Sequence, residues 1–397
     1  MESSMSMKSV NRVRRYDGRE LGSQPHIVVL GSSKVGNFVV TLPLLRLLRK
    51  KYPGSQIDFW GTEATRDFEM ALCDKGNPIN WRYSWDEPQQ GGEVQGRLFS
   101  IAKAIKERES IAGKVDLAIN CDGFNPLTQT LCSWIEPKWV AGASLNETGR
   151  STLAWGDAPE QKFLADQDWN SRAFIDRYSK IFDSNYIAEL LCRMVHLKPT
   201  QDDLMDIDLP WCDPPFTTPK VLIHITTTRA AKIWPIQEWN HVLKWCEDRQ
   251  IDVGLIGAPP KRQISEYNAG IGEEELIREY PDTLIDLRGK TSLIQLAGAC
   301  KEAKAVVSVD AGPMHIAAAV RTPTLAVVGN DKEGDGASPI SLWLPRSSVL
   351  ERTVSTKTCT RCCENRFKND ECIADEHVCM QGVSAQQVIS WLDIKLK

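Results

Sequence analysis

The chain has 397 residues, 42% of them hydrophobic and 25% charged, with a formal net charge of -4. That length accommodates two domains with full cores, and the balance is that of a globular protein. The slight negative charge excludes a global basic field for nucleic acid, and no apolar run approaches the ~18 residues a membrane span needs.

Residues 1–24 are polar, carry Arg12, Arg14 and Arg15, and lack the apolar stretch of a secretory signal. They read as a mobile leader, with a cytoplasmic location expected. From residue 25 the pattern alternates between short apolar runs and helical periodicity. His26-Ile27-Val28-Val29-Leu30 reads as a buried strand running into a Gly31–Gly36 loop. Val39 to Tyr52 follows as a helix, with Leu42, Leu45 and Leu48 on one face and Arg46, Arg49 and Lys50 toward solvent. Ile57–Trp60 and Leu117–Cys121 read as further strands, the latter followed by Asp122-Gly123. Such repetition predicts a parallel sheet covered on both faces, here over 25–198.

Residues 199–220 are rich in Pro and Asp without periodicity and read as an interdomain linker. A second α/β series then occupies 221–350. Its strands are expected at Val221–His224, Val253–Ile256, Leu284–Leu287, Ala305–Ser308 and Thr324–Val328. Its helices are expected at Trp239–Asp248, Ser292–Cys300 and Met314–Val320. Two Rossmann-like domains facing a cleft is the simplest architecture. A cysteine-rich segment, 351–383, precedes a last helix, 384–397, expected to pack back across the hinge.

Of twelve cysteines, Cys73, Cys121, Cys132, Cys192, Cys212, Cys246 and Cys300 are scattered, mostly in apolar runs where a thiol acts as a small hydrophobe. The other five crowd between Cys359 and Cys379. In a chain without a secretory signal such crowding points to a metal more than to disulfides. Cys359, Cys362, Cys372 and Cys379 are the expected ligands, with Cys363 spare. Four sulfurs suit tetrahedral coordination, with zinc the default ion. Reduced structural thiols are the plainer alternative. Thirteen tryptophans, among them Trp60, Trp81, Trp85, Trp155 and Trp169, are given no role, since tryptophan serves core and sugar stacking alike.

The strand ending at Asp310 is followed by Ala311-Gly312-Pro313, which turn the chain into a helix near Met314-His315. Small residues let backbone amides approach a ligand, and a helix N-terminus is positively polarised. Pro in a first turn removes an N–H that had no partner. The turn therefore suits a diphosphate, with Asp310 and His315 placed to hydrogen-bond phosphate or ribose. On shape alone an ordinary strand-to-helix turn explains it equally well.

The wider context resembles glycosyltransferase family 9, the heptosyltransferases of lipopolysaccharide core assembly and their protein-modifying relatives. The carriers are Leu287-Arg288-Gly289-Lys290-Thr291-Ser292-Leu293, then Val307 to Ala319, then Thr322-Pro323-Thr324. A second match is His224 to Pro235, and a third is Gly31 to Pro53, with Thr41-Leu42-Pro43-Leu44-Leu45-Arg46 closely similar. The resemblance implies a GT-B fold and an inverting transfer of heptose from ADP-heptose to an acceptor hydroxyl. It implies donor contacts from Thr227, Thr228, Lys232, Thr291, Ser292 and Asp310 through His315, with Lys232 also acting on the leaving diphosphate. Ser33, Gly36 and Asn37 would line the acceptor side.

One departure matters. The lipopolysaccharide branch carries an aspartate base directly after the loop glycine, where this chain has Asn37, and an amide cannot accept a proton. The protein O-heptosyltransferase branch resembles this chain in placing the base on a later loop, which points to Asp122, whose alternative role is a turn cap. That branch also resembles this cysteine tail and is iron-bearing, so iron stands beside zinc as the structural metal. No catalytic divalent metal is implied. The resemblance of the cysteine tail favours a protein Ser/Thr as the expected acceptor over a lipopolysaccharide core sugar or small molecule, and assembly into a homo-oligomer is compatible with the scaffold. Two alternatives share the fold: a nucleotide-sugar epimerase, and a non-catalytic sugar-nucleotide-binding protein.

Overall fold

The computed structural model describes residues 13–73, 76–86, 94–123, 125–205, 207–262 and 270–397. Residues 1–12 of the expected leader, and Phe124 beside Gly123, lie outside them. The chain forms two compact units. The first comprises Met1–Ser33, Leu44–Asp166 and Leu190–Lys198; the second comprises Lys34–Pro43, Gln167–Glu189 and Pro199–Lys397.

The first sheet contains β1 (Arg14–Arg15), β2 (His26–Leu30), β3 (Gln56–Gly61), β4 (Trp81–Ser84), β5 (Leu117–Asn120) and β6 (Trp139–Gly142). They are ordered β1-β6-β5-β2-β3-β4, every pair parallel. All of β2, β5 and β6 is buried, as a parallel strand covered on both faces must be. The second sheet contains β7 (Val221–His224), β8 (Val253–Leu255), β9 (Leu284–Asp286), β10 (Ala305–Val309), β11 (Thr324–Val327) and β12 (Leu350–Arg352). Its order is β12-β11-β10-β7-β8-β9, again all parallel.

The second order is the Rossmann arrangement, and β2 to β6 follow it in the first sheet, with the N-terminal β1 in the sixth place. Chain order reverses between β7 and β10 in the second sheet and between β2 and β5 in the first. Loops leaving the carboxyl ends of such a strand pair run to opposite faces and open a crevice, so the topology marks these two places for ligands.

Two expectations are corrected. Part of the leader is ordered as an edge strand: Arg14 and Arg15 pair with Trp139 and Val140. The Arg14 and Arg19 guanidinium groups lie over the Trp139 ring at 5.9 and 4.1 Å, and Arg15 donates to the carbonyls of Leu153 and Ala154, both at 2.7 Å. Arginines of the expected mobile leader thus have aromatic and carbonyl partners. The last helix, Ala385–Lys395, does not return across the hinge. Its apolar stripe, Ala385, Val388, Trp391 and Leu392, joins the core of the second unit around Trp234 and Trp239, whose rings meet edge to face at 4.8 Å. The indole of Trp391 donates to Glu351 at 2.9 Å. Within the expected linker, Gln201–Met205 is a short helix of the second unit. No helix among the described residues is long and apolar enough to cross a membrane.

Candidate functional site

The second sheet's reversal point is where the singled-out residues converge. β7 ends at His224 and delivers Thr226, Thr227 and a short 3-10 turn, Ala230–Lys232. β10 ends at Val309 and delivers Asp310 and the helix Gly312–Ala319. Lys232 Nζ meets Asp310 Oδ2 at 2.7 Å, with the side chains 17% and 8% exposed. Residues 78 apart in sequence are thereby locked across neighbouring strands. Burial pushes the Asp310 carboxyl up, but the Lys232 ammonium, as charge and as donor, with lesser help from His315 and the Ser338 hydroxyl, holds it below the usual carboxylate range.

His315 is 5% exposed, and burial pulls its pKa down to about 4, against an upward pull from Asp310. Its imidazole is therefore neutral at pH 7, and Nδ1 has no hydrogen-bond partner in the structure. The missing Cβ of Gly36 would stand 2.9 Å from His315 Cδ2, so the loop glycine is required by close approach to this ring. Similarly, a Cβ on Gly312 would stand 3.2 Å from Val35 Cβ. Pro313 occupies the first turn of its helix, and Ala311 is the extended N-cap residue without a side-chain cap. The Gly312 amide opens the helix and so has no carbonyl of a preceding helical turn to meet, Pro313 has no N–H, and the Met314 amide donates to the Ala311 carbonyl at 3.2 Å. Met314 points its side chain into an apolar cluster with Ala326, Val328 and Ile340, leaving only its backbone for the turn.

The remaining residues divide. Thr227 is buried, and its hydroxyl accepts from the Arg229 amide at 3.4 Å; Thr228 is exposed. Ser292 caps the helix Leu293–Glu302 in a reciprocal capping box with Gln295, which occupies its hydroxyl, and Thr291 is half-buried just before it. Sequence reasoning missed the loop 329–341, whose Ser338 reaches Asp310 and whose Gly336 has φ +140° because a Cβ there would meet the Gly329 carbonyl. No residue pattern announces that loop; its three glycines, Gly329, Gly334 and Gly336, were the available signal.

In the first unit Asp122 leaves β5 at that sheet's reversal point, where the Cys121 amide bonds the carbonyl of Leu30, the last residue of β2. Asn120 Oδ1 accepts from the Asp122 amide at 3.0 Å, and Asn125 donates to Asp122 Oδ2 at 3.2 Å. The cap of the helix Pro126–Trp134 is Asn125, not Asp122. Asp122 is therefore an oriented, half-buried carboxylate at the carboxyl edge of the sheet. Ser33 belongs to the first unit, whereas Gly36 and Asn37 fall in the second, where the Asn37 carbonyl accepts from Thr41 at 2.7 Å.

The cysteine segment braces the Lys232 turn. Arg229 Nε donates to the Asn369 carbonyl at 2.8 Å, the Ala231 amide to the Asp370 carbonyl at 2.9 Å, and the Ala231 carbonyl meets His377 Nε2 at 2.8 Å. Cys379 is pushed up to about 12 by burial and then by the neighbouring thiols of Cys359, Cys362 and Cys372. Those four sulfurs therefore share one neighbourhood, while Cys363 turns to the Gly336 carbonyl. Among the described residues no three His, Cys, Asp or Glu side chains are set to hold a metal ion.

Residues 187–365 match the family model described as Glycosyltransferase family 9 (heptosyltransferase). Over 112 residues the chain is 28% identical to the lipopolysaccharide core heptosyltransferase OpsX of Haemophilus influenzae, a stretch covering 28% of this chain and 30% of OpsX. The matched part is thus less than a third of that relative. The family 9 glycosyl transferase structure from Veillonella parvula aligns over 95% of this chain and 98% of its own, with a TM-score of 0.63 and 17% identity. TibC of enterotoxigenic E. coli, an iron-containing dodecameric glycosyltransferase, aligns over 95% of this chain and 77% of its own, with a TM-score of 0.54 and 12% identity. These structural likenesses establish the fold of two Rossmann-like domains. The match to glycosyltransferase family 9 falls across the sheet that carries the Lys232–Asp310 pair.

Proposed function

We propose that the protein is an inverting glycosyltransferase that moves a heptose from ADP-heptose to an acceptor hydroxyl, with a protein serine or threonine preferred over a lipopolysaccharide core sugar or small molecule. The observation that carries the reading is the Lys232–Asp310 pair at the reversal point of the second sheet, beside the uncapped turn at Gly312. TibC, solved in complex with ADP-D-β-D-heptose, supports the donor. Asp122 takes the proton of the acceptor hydroxyl as the acceptor oxygen attacks the anomeric carbon opposite the diphosphate. The anomeric carbon–oxygen bond breaks, and ADP leaves with the electron pair. Lys232 and the amides of Ala311 and Gly312 meet the charge on the leaving diphosphate, and Thr227 and Thr228 donate to its oxygens. These cations and amides carry the diphosphate in this reading, so no catalytic divalent metal enters it.

Cys359, Cys362, Cys372 and Cys379 would hold a structural zinc or iron ion; the shared neighbourhood of their sulfurs fits the donor set in kind. When bound, the ion would cross-link the segment that braces Arg229 to Ala231. Elemental analysis of the purified protein decides between the ions, and absence of both refutes the site. Mass spectrometry of candidate acceptors after incubation with ADP-heptose tests the transfer. A heptose adduct that disappears with Asp122→Asn is expected. Change of the sugar without any acceptor would identify an epimerase instead, and ADP binding with no turnover would leave a sugar-nucleotide-binding protein.

A further inference from the structure

On the far side of the loop 329–341 from Asp310, within the second unit, lies a cavity of about 370 Å³. Its walls come from the segment 170–185, the loop 332–346, Arg352 and the start of the cysteine segment. None of the residues assigned to the donor lines it. Three cations face it from the loop side: Lys332, Arg346 and Arg352.

Arg346 and Arg352 are bonded in an unusual way. Arg346 donates to the carbonyls of Leu344, Ser184 and Ser341 at 3.3, 3.1 and 3.0 Å, and its guanidinium lies 5.5 Å from the Tyr186 ring centre. Arg352 donates to the carbonyls of Asn330, Asp331, Lys332 and Thr353 at 3.0 to 3.5 Å. Among the described residues neither makes an ion pair with a carboxylate. Carbonyls orient a guanidinium but do not neutralise it. Burial lowers the pKa of both, and the nearby Asp331 carboxylate offsets only part of this for Arg352.

The nearby acids are otherwise engaged. Glu333 and Asp335 pair with Arg172 at 3.4 and 3.9 Å. Asp331 Oδ1 accepts from the amides of Glu333 and Asp335. Among the described residues Asp176 is the lining acid without an ion pair, and Lys332, Arg346 and Arg352 are the lining cations besides Arg172. Asn185, held at φ +53°, lines the same cavity and buries an Oδ1 with no hydrogen-bond partner. Oriented guanidinium groups without a carboxylate partner are the chemistry that holds a small anion, while the unpartnered Asn185 Oδ1 can accept a hydrogen bond from a hydroxyl of the same ligand.

We propose that this cavity is a second binding site, for the phosphate or carboxylate group of a small polar molecule, held by Arg346 and Arg352. The site is separate from the donor diphosphate and does not depend on it. Inorganic phosphate is the probe, titrated calorimetrically into the full chain saturated with ADP so that the Lys232 site is filled. Persisting phosphate binding is expected, weakened about tenfold or more by Arg346→Gln or Arg352→Gln and unchanged by Lys232→Met. Ser341→Phe, which fills the cavity from an exposed position and keeps both arginines, is expected to abolish it in a protein of unchanged melting temperature. Loss of all phosphate binding once ADP is present, or binding indifferent to Arg346→Gln and Ser341→Phe, would overturn the proposal. Should ADP itself fail to bind, the donor reading falls, and the response of phosphate binding to Ser341→Phe still decides this one. Citrate and glycerol 3-phosphate in place of phosphate distinguish a carboxylate from a phosphomonoester ligand.

Discussion

Replacing Lys232 by methionine separates what the Lys232–Asp310 pair does for the fold from what it does for the reaction. The pair is 2.7 Å long, and Asp310 is 8% exposed. Methionine keeps the apolar stem and deletes the charge, stranding a buried carboxylate whose low pKa depends chiefly on that ammonium. Removing one member of a buried pair costs about 3–5 kcal/mol. Here the cost falls toward the lower end, because Ser338 still donates to the carboxylate and the carboxyl can take up a proton once its pKa is released. The double variant Lys232→Met/Asp310→Asn removes the stranded charge and should regain most of that loss. Transfer should behave differently. A cation acting on the leaving diphosphate is worth about 10²–10³-fold in kcat, and neither variant restores it. Urea denaturation and a coupled ADP-release assay measure the two effects. A double variant as unstable as the single one would mean that the pair is not the source of the loss. A single variant that transfers within a few fold of the native rate would remove Lys232 from the reaction.

Asp122→Asn should lower the transfer rate about 10²–10⁴-fold while leaving ADP affinity within a factor of about two, since the base acts only on the acceptor proton; equal losses in both would make Asp122 structural. Gly142→Ala should destabilise the first unit by about 1–3 kcal/mol, because Gly142 has φ +83° and a Cβ there would stand 2.3 Å from the Asn120 carbonyl, behind Asp122; a thermal melt checks it. Chelation that strips the cysteine segment should raise the KM for donor more than it lowers kcat, since Asn369, Asp370 and His377 hold Arg229 and Ala231; a KM unchanged after confirmed metal loss would uncouple the two. Stability should fall with acid between about pH 6.5 and 4. His224 and His315 are both buried with pKa values pulled down to about 4, so in that window the unfolded chain binds the extra protons. The stability is complete above 6.5, is lost as pH falls through 4, and amounts to about 3 kcal/mol for each ring. Denaturation midpoints in urea from pH 7.5 to 4 measure it, and His315→Gln should remove its share.

The doubly wound fold was legible because a parallel strand buried on both faces is written as an uninterrupted apolar run. His26–Leu30, Leu117–Asn120, Val221–His224, Ala305–Val309 and Thr324–Val327 are of this kind. Of the strands that escaped notice, Trp139–Gly142 is fully buried inside its sheet, whereas two others are partly exposed strands at a sheet's edge. Trp81-Arg82-Tyr83-Ser84 carries an arginine whose partner, the fully buried Glu69, comes from another element, and Leu350–Arg352 is three residues at the sheet's edge. Their pairing is a tertiary fact that no local periodicity encodes. The last helix shows the same limit: its stripe was readable, but the surface it covers was not.

The residues proposed to meet the donor stand out in the sequence for a related reason. A diphosphate is met by backbone amides and a helix start, and those demand small residues and a proline at fixed offsets, so chemistry leaves a contiguous trace from Asp310 to His315. Recognition through side chains leaves no such trace. Ser338 reaches Asp310 from a loop without a motif, and Arg346 and Arg352 look like any surface arginine until their carbonyl partners are seen. The loop 329–341 lies between these two kinds of site, with Ser338 on one side and Gly334, Asp335 and Ser341 on the other. An anion drawn toward Arg352 would act on the carbonyls of Asn330 to Lys332, and hence on the loop that presents Ser338 to the donor carboxylate. By linkage, whatever factor phosphate imposes on ADP affinity, ADP must impose on phosphate. Measuring ADP affinity with and without phosphate, in the native chain and in Ser341→Phe, therefore tests whether that loop joins the two sites or merely separates them.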